Sequence, residues 1–336
     1  MKIAFFECEE WEEPLIRENF PNDEVVFLTE PLNDETLPKE RDYDAISIFV
    51  GSRITATTLA AFPNFKFITT RSTGFDHIDL DACSARGIAI AYVPGYGDNT
   101  VAEFAFGLIL NLTRKIYQGI YRIKEAGSFS LEGLRGFDLK GKTIGIIGTG
   151  RIGRESIAIA KGFGMNVLAY DVVPNLPLAS TLGFRYVSLA ELLGNSDVIS
   201  LHCPLTKETE HLLNATTIPQ IKKGAYLINT ARGGLIETAA LVAALHDGTL
   251  AGAAMDVFEE EGGTENEFGF MKSNAAPREA LAIILENDIL MKMPNVLMTP
   301  HNAFNSKEAL MRILQTTIDN LKGFASGHSV NLVPQS

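Results

Sequence analysis

At 336 residues the chain exceeds the length over which a single hydrophobic core keeps growing, so two domains are expected. Hydrophobic residues make up 46% and charged residues 21% of an unbiased composition, which excludes fibrous and disordered classes. With 29 Lys and Arg against 41 Asp and Glu, the formal net charge of −12 argues against nucleic acid and anionic membrane as partners, and a small anionic ligand requires a local cation.

The N-terminal stretch MKIAFFECEEWEEP turns acidic after a short apolar run and lacks the apolar core of a signal peptide. No later segment approaches the roughly 20 apolar residues of a membrane span, so a cytoplasmic protein is expected. Apolar runs at 3–6, 45–50, 65–70 and 88–93 read as buried parallel strands separated by helix-compatible stretches. Residues 99–115 carry Val101, Ala102, Ala105, Phe106, Leu108, Ile109 and Leu112, the pattern of a largely buried helix suited to linking two domains. Segment 127–140 is Gly-rich and hinge-like. A second series of strands is expected at 143–148, 167–171, 197–202, 225–230, 251–257 and 296–300, giving two doubly wound parallel α/β sheets. The acid- and glycine-rich 262–273 reads as a surface loop, and 306–326 as a helix that packs back on the first domain. Cys8, Cys83 and Cys203 are far apart and show no metal-ligand spacing, so neither a disulfide framework nor a metal site is expected.

The string GTGRIG, Gly148 to Gly153, lies between a predicted strand and a predicted helix. In that context Gly148 permits a tight turn, Gly150 brings backbone amides close to a pyrophosphate, and Gly153 lets helix and strand pack. Asp171 ends the next strand at the distance expected of a ribose-binding carboxylate, which repels a 2′-phosphate and favours NAD over NADP.

Asn229-Thr230-Ala231-Arg232-Gly233-Gly234 follows another strand, at the carboxyl edge where open α/β sheets bind ligands. Arg232 is therefore aimed at the crevice, where a planar guanidinium binds the carboxylate of a 2-oxo acid and polarises its keto oxygen. Hydride transfer to a ketone leaves an alkoxide that needs a proton, a task suited to an imidazolium favoured by a nearby carboxylate. His301 and His202 both end strands, and Glu259, Glu260 and Glu261 form one acidic run; spacing does not choose among them. His77, His211, His246 and His328 read as structural or solvated.

These residues resemble the D-isomer-specific 2-hydroxyacid dehydrogenase family, most closely its D-lactate dehydrogenase branch. The likeness spans nearly the whole chain through GTGRIG with Asp171, SDVISLHCPLTKET (196–209), NTARG (229–233), MDVFEEE (255–261) and NVLMTPHNAF (295–304), in the family's order. The resemblance implies Arg232 as the substrate arginine, Glu261 as the carboxylate of the acid/base pair and His301 as the proton carrier. It further implies that Asp256 contacts the nicotinamide side of NAD, and that Arg151, Ile152, Cys203, Pro204, Thr209, Thr230 and Ala231 line the cofactor. The amides of Thr73 and Gly74 correspond to a substrate-carboxylate anchor, and Tyr96 and Phe304 to aromatic positions around a small apolar substrate side chain. Two residues depart from the pattern: Phe104 stands where many relatives carry histidine, and Glu237 where aspartate is usual. The resemblance also implies a flavodoxin-like substrate domain at 1–98 completed by 305–336, an NAD-binding Rossmann-like domain at 99–304, a D-hydroxy acid and a homodimer. A rival reading, an NAD-responsive binding protein of the same fold, requires added partner-recruiting segments, and the chain begins and ends close to its outermost predicted elements.

Overall fold

The computed structural model describes residues 1–259 and 278–334. It contains two compact units, Met1–Tyr96 with Ser306–Ser336, and Gly97–Asn305. Glu260, Glu261 and the predicted loop 262–273 lie outside the described residues.

The first unit is a five-stranded parallel sheet of β1 (Lys2–Phe5), β2 (Glu24–Phe27), β3 (Ala45–Ile48), β4 (Phe67–Thr70) and β5 (Ala89–Ala91), in the order β2-β1-β3-β4-β5. This is the flavodoxin-like arrangement, with the strand order reversing beside β1. The central strands β3 and β4 are buried at every position, as continuous apolar runs require when helices cover both faces. Edge strand β2 is missing from the sequence reading because EVVF begins on an exposed glutamate and is only partly covered. The C-terminal helix Lys307–Ala325 packs on this sheet: Leu314, Ile318 and Leu321 share a buried cluster with Ile3, Phe5 and Phe67.

The second unit holds seven parallel strands: β6 (Thr143–Ile147), β7 (Asn166–Tyr170), β8 (Arg185–Tyr186), β9 (Val198–Leu201), β10 (Ala225–Asn229), β11 (Leu250–Met255) and β12 (Val296–Met298). Their order, β12-β11-β10-β9-β6-β7-β8, is that of a dinucleotide-binding fold extended by one strand, with its switch point between β6 and β9. Both α/β sheets expected from the strand pattern are thus present.

The buried helix expected at 99–115 is Asp98–Arg114, and it belongs to the second unit, packed on helix Arg151–Gly162 and on β10 and β11. Lys115, in the left-handed conformation at φ 54°, ends it and starts helix Ile116–Ala126. The sequence reading passed over that second helix, although Ile116, Tyr117, Ile120, Tyr121 and Ile123 recur at helical spacing; none of its residues is buried, so this apolar stripe does not face the core. Among the described residues no helix is long and apolar enough to cross a membrane.

Candidate active site

All seven strands of the second unit point their carboxyl ends to one edge, so strand order dictates loop order. At the switch point Gly148 turns the chain with φ +93°. A Cβ there would lie 2.6 Å from the carbonyl oxygen of His202 and 2.7 Å from the amide nitrogen of Cys203, so only glycine passes the β9 loop. A Cβ on Gly153 would lie 2.1 Å from the Gly148 carbonyl oxygen, which seats the helix Arg151–Gly162 directly on the turn. Gly150 differs: a Cβ would meet nothing within 4 Å, and as N-cap it offers no side chain to the first-turn amides. Those amides, with the helix dipole behind them, form an accessible anion cradle of the kind that holds a pyrophosphate.

Asp171 follows β7 and is bound into the same loop. Its Oδ2 accepts hydrogen bonds from the Thr149 amide (2.7 Å) and hydroxyl (2.8 Å), and its Oδ1 from the Val173 amide (3.0 Å). Burial pushes this carboxyl up, but the hydrogen bonds from Val173 and Thr149 outweigh it and hold the group below the ordinary carboxylate range. A carboxylate that favours its charged form thus stands in a cavity of about 630 Å³ lined by Thr149, Gly150, Arg154, Asp171 and the segment Val173 to Pro177. Arg151 is exposed and pairs through Nε with Asp98 at 2.7 Å. In the β9 loop, Thr209 accepts the Thr206 amide at 2.7 Å and donates to the Pro204 carbonyl at 2.7 Å, shaping the turn after Cys203. Thr230 is buried at the end of β10, and its Oγ1 has no hydrogen-bond partner among the described residues. Leaving such a group unpaired costs about 1–3 kcal/mol, which a ligand reaching it would relieve. The glycine cradle, the charged Asp171 and the orphaned Thr230 hydroxyl fit a dinucleotide.

The loops after β10, β11 and β12 form the other half of the edge. Asn229 shapes the first, accepting the Ala231 amide at 3.0 Å and donating to the Arg232 carbonyl at 2.8 Å; the Arg232 side chain donates from Nη1 to the Ala231 carbonyl at 2.7 Å. A Cβ on Gly233 would fall 2.0 Å from the carbonyl carbon of Phe258, so the arginine loop rests on the Phe258–Glu259 peptide. The Asp256 amide donates to the Asn229 carbonyl (2.9 Å), and the Asp256 carbonyl accepts the His301 amide (2.9 Å). One hydrogen-bonded run therefore indexes the Arg232 loop to the His301 loop.

Asp256, fully buried, does more than pair backbone. Its Oδ1 accepts the Thr299 hydroxyl and the Asn302 amide (2.9 Å), and its Oδ2 the Ala303 amide (2.8 Å), so it cups the turn on which His301 sits at φ 48°. Burial here exceeds the help of these bonds and of the nearby His301, so the Asp256 carboxyl titrates above its ordinary range, the reverse of the partly hydrated Asp171. Expected as a cofactor contact, Asp256 thus directs its carboxylate to the His301 turn. Phe304 follows that turn, half-buried.

The structure also separates the candidates that spacing left open. His202 hydrogen-bonds Ser200 Oγ at 2.9 Å through Nε2, and desolvation pushes its ring down to about 4, so it stays neutral. Glu259 is engaged elsewhere, bound to His211 Nε2 at 2.6 Å and to the amide (2.9 Å) and hydroxyl of Thr238. That His211–Glu259 pair went unread in the sequence, because its partners are 48 positions apart and neither lies in a periodic pattern.

In the first unit, Thr73 and Gly74 lie on the loop after β4, and their amides have no acceptor among the described residues. Two adjacent N–H groups without an internal acceptor are the donor pattern from which anion-binding nests are built. Tyr96 is partly exposed, and its carbonyl accepts Arg312 Nε at 2.7 Å.

A family model described as D-isomer specific 2-hydroxyacid dehydrogenase, NAD binding domain, matches residues 106–303. The chain belongs to the D-isomer-specific 2-hydroxyacid dehydrogenase family. This dehydrogenase is 40% identical to a 2-hydroxyacid dehydrogenase homolog of Zymomonas mobilis, over 97% of its own length and 98% of that protein. D-lactate dehydrogenase of Escherichia coli is 38% identical, with 98% of each chain covered. The solved structure of D-lactate dehydrogenase from Aquifex aeolicus, complexed with NAD and lactic acid, aligns with a TM-score of 0.85 at 36% identity, covering 97% of this chain and 96% of that one. The 2-hydroxyacid dehydrogenase described here is an oxidoreductase acting on the CH–OH group of a hydroxy acid, and its cofactor is NAD.

Proposed function

We propose that this dehydrogenase interconverts pyruvate and D-lactate. The observation that carries the chemistry is the hydrogen-bonded run Asn229–Asp256–His301, which sets a guanidinium loop and an imidazole loop in fixed register at one sheet edge. The guanidinium of Arg232 grips the substrate carboxylate and polarises the keto oxygen. The Thr73 and Gly74 amides supply neutral donors to a substrate carboxylate, and the aromatic residues Tyr96 and Phe304 favour a small apolar substrate side chain. NADH, when bound, supplies the hydride accepted by the carbonyl carbon. His301 then gives its proton to the resulting alkoxide, and in the oxidative direction the neutral ring takes the hydroxyl proton. Glu261 is the carboxylate of the acid/base pair; the commitment of Glu259 to His211 and Thr238 supports that choice within the acidic run. Gly148, Gly150, Gly153 and Asp171 hold the pyrophosphate and ribose, Arg151, Ile152, Cys203, Pro204, Thr209, Thr230 and Ala231 line the cofactor, and Asp256, its carboxylate committed to the His301 turn, stands on the nicotinamide side.

A panel of 2-oxo acids followed by NADH absorbance tests the substrate. Pyruvate is expected to give the highest kcat/KM, with D-lactate and not L-lactate oxidised in reverse. A clear preference for 2-oxoisocaproate, glyoxylate or a phosphorylated acid would move the assignment to another hydroxy acid, and oxidation of phosphite alone would remove the alkoxide step.

We also propose a homodimer. Helix Ile116–Ala126 buries none of its residues, and Ile116, Tyr117, Ile120, Tyr121 and Ile123 are each 43–56% exposed. Phe129 and Leu131, at 82% exposure, extend the patch, and Arg122 ties their segment to the helix through the carbonyls of Ser130 and Glu132. Contiguous apolar surface of this kind marks an interface, and a second copy presents the same patch about a twofold axis. Light scattering is expected to give twice 36.6 kDa, and Ile120→Glu with Tyr121→Glu to halve it. A wild-type monomer would overturn the dimer.

A further inference from the structure

The anion nest at Thr73 and Gly74 is held from below by a chain of side-chain hydrogen bonds that neither the family likeness nor the proposed mechanism uses. Ser72 Oγ donates to the Gly74 carbonyl at 2.6 Å, closing the turn that carries the two amides. Ser72 Oγ also lies 2.7 Å from Thr70 Oγ1, and Thr70 Oγ1 lies 3.1 Å from His77 Nε2. Thr70 and Ser72 are buried at 0% and 3% exposure, so water does not compete for these bonds.

Each hydroxyl has one proton, and this fixes the direction of the whole chain. Ser72 spends its proton on the Gly74 carbonyl and must accept from Thr70. Thr70 thereby spends its own, so His77 Nε2 must be the donor. The order His77 to Thr70 to Ser72 to Gly74 is the one arrangement that satisfies all three contacts, and it requires a proton on Nε2 in the neutral ring as well as in the charged one.

The surrounding backbone leaves the histidine little freedom. Its carbonyl accepts the Ile54 amide at 2.9 Å, and Ile54 and Ile78 form a parallel bridge. On the other side of the nest, Thr73 Oγ1 donates to the Val93 carbonyl (2.8 Å), and the Val93 amide donates to the Ser72 carbonyl (3.0 Å). The turn is pinned by Val93, two residues past β5, on one flank and by the His77 chain on the other.

We propose that His77 is a positioning residue for substrate binding: by donating from Nε2 it holds Thr70 and Ser72 in the one hydroxyl orientation that keeps the Thr73 and Gly74 amides aimed at a carboxylate. This rests on the reading of those amides as the substrate anchor. Without the donor, Thr70 can turn its proton elsewhere, Ser72 loses its bias towards the Gly74 carbonyl, and the nest loosens while the catalytic groups of the second unit are untouched.

Two substitutions and one spectrum test it. His77→Leu removes the donor and His77→Gln keeps one at similar reach. The leucine variant is expected to raise KM for pyruvate about tenfold, with kcat and the fluorescence-measured Kd for NADH within about twofold of wild type; the glutamine variant returns KM to within about threefold. Should the leucine variant not fold, Ser72→Ala breaks the last link and is expected to show the same split. Nitrogen-15 NMR of the histidine rings reads the tautomer directly, and a neutral His77 protonated on Nδ1 would overturn the chain. Unchanged KM in the donor-less variants, or equal KM in leucine and glutamine variants, would overturn the inference while leaving the enzyme reading intact. Absence of turnover with every 2-oxo acid in a wild-type protein that binds NADH would overturn both.

Discussion

Replacing His301 by alanine is expected to lower kcat for pyruvate reduction by about 10²–10⁴-fold, the usual worth of a positioned general acid, while NADH binding changes little. The alkoxide formed by hydride transfer is strongly basic, and without an imidazolium its proton must come from water. His301 also sits in the left-handed region at φ 48°, so a backbone effect has to be separated from a chemical one. Asparagine does this, since it tolerates that conformation better than alanine and carries no titratable proton near neutral pH. The turn is held through the Asp256 carboxylate and through backbone bonds at positions 301, 302 and 303, none of which uses the imidazole. Both variants should therefore keep the loop and lose the turnover. Ordinary rates in either one would end the assignment of His301 as proton carrier.

Arg232→Gln is expected to raise KM for pyruvate steeply and to depress kcat/KM by roughly 10²-fold or more, the scale of losing two charge-assisted hydrogen bonds to a carboxylate. The backbone of the loop should survive, because Asn229 holds it through the Ala231 amide and the Arg232 carbonyl, and Gly233 seats it on the Phe258–Glu259 peptide. Arg232→Lys offers the sharper comparison. Lysine restores a positive charge against the chain's overall −12 but cannot present two parallel donors, so partial recovery of affinity with little recovery of kcat would separate anchoring from polarisation of the keto oxygen. A glutamine variant with near-normal KM would remove Arg232 from the substrate site.

The parts of this molecule legible in its sequence were those where one physical demand dominates. Strands such as Ala45–Ile48 and Phe67–Thr70, buried on both faces, can only be apolar throughout, and their runs stand out between polar stretches. The glycine string was readable because strand, turn and helix must meet there, and the structure gives its three glycines three different surroundings. What escaped lies at edges or depends on distant partners. Strands Glu24–Phe27 and Arg185–Tyr186 are short and half-covered, and the helix Ile116–Ala126 has its apolar side outward. The carboxylate of Asp256 clasps a turn more than forty residues downstream, a contact that no local spacing announces. For the histidines, position at a strand end was too coarse a signal: His202 and His301 share it, yet loss of hydration holds the former neutral.

Along the carboxyl edge of the second unit, the glycine turn, Asp171 and the Thr209 turn hang from β6, β7 and β9, whereas Arg232 and His301 hang from β10 and β12, with Thr230 and Ala231 sharing the arginine's loop. Such interleaving limits how modular the framework is: one loop carries both the arginine proposed to choose the acid and two residues proposed to line the coenzyme, so rewriting it, in evolution or in the laboratory, is expected to disturb both. Gly233 and Asp256 mark where grafts must stop, since they keep the arginine and histidine loops in step.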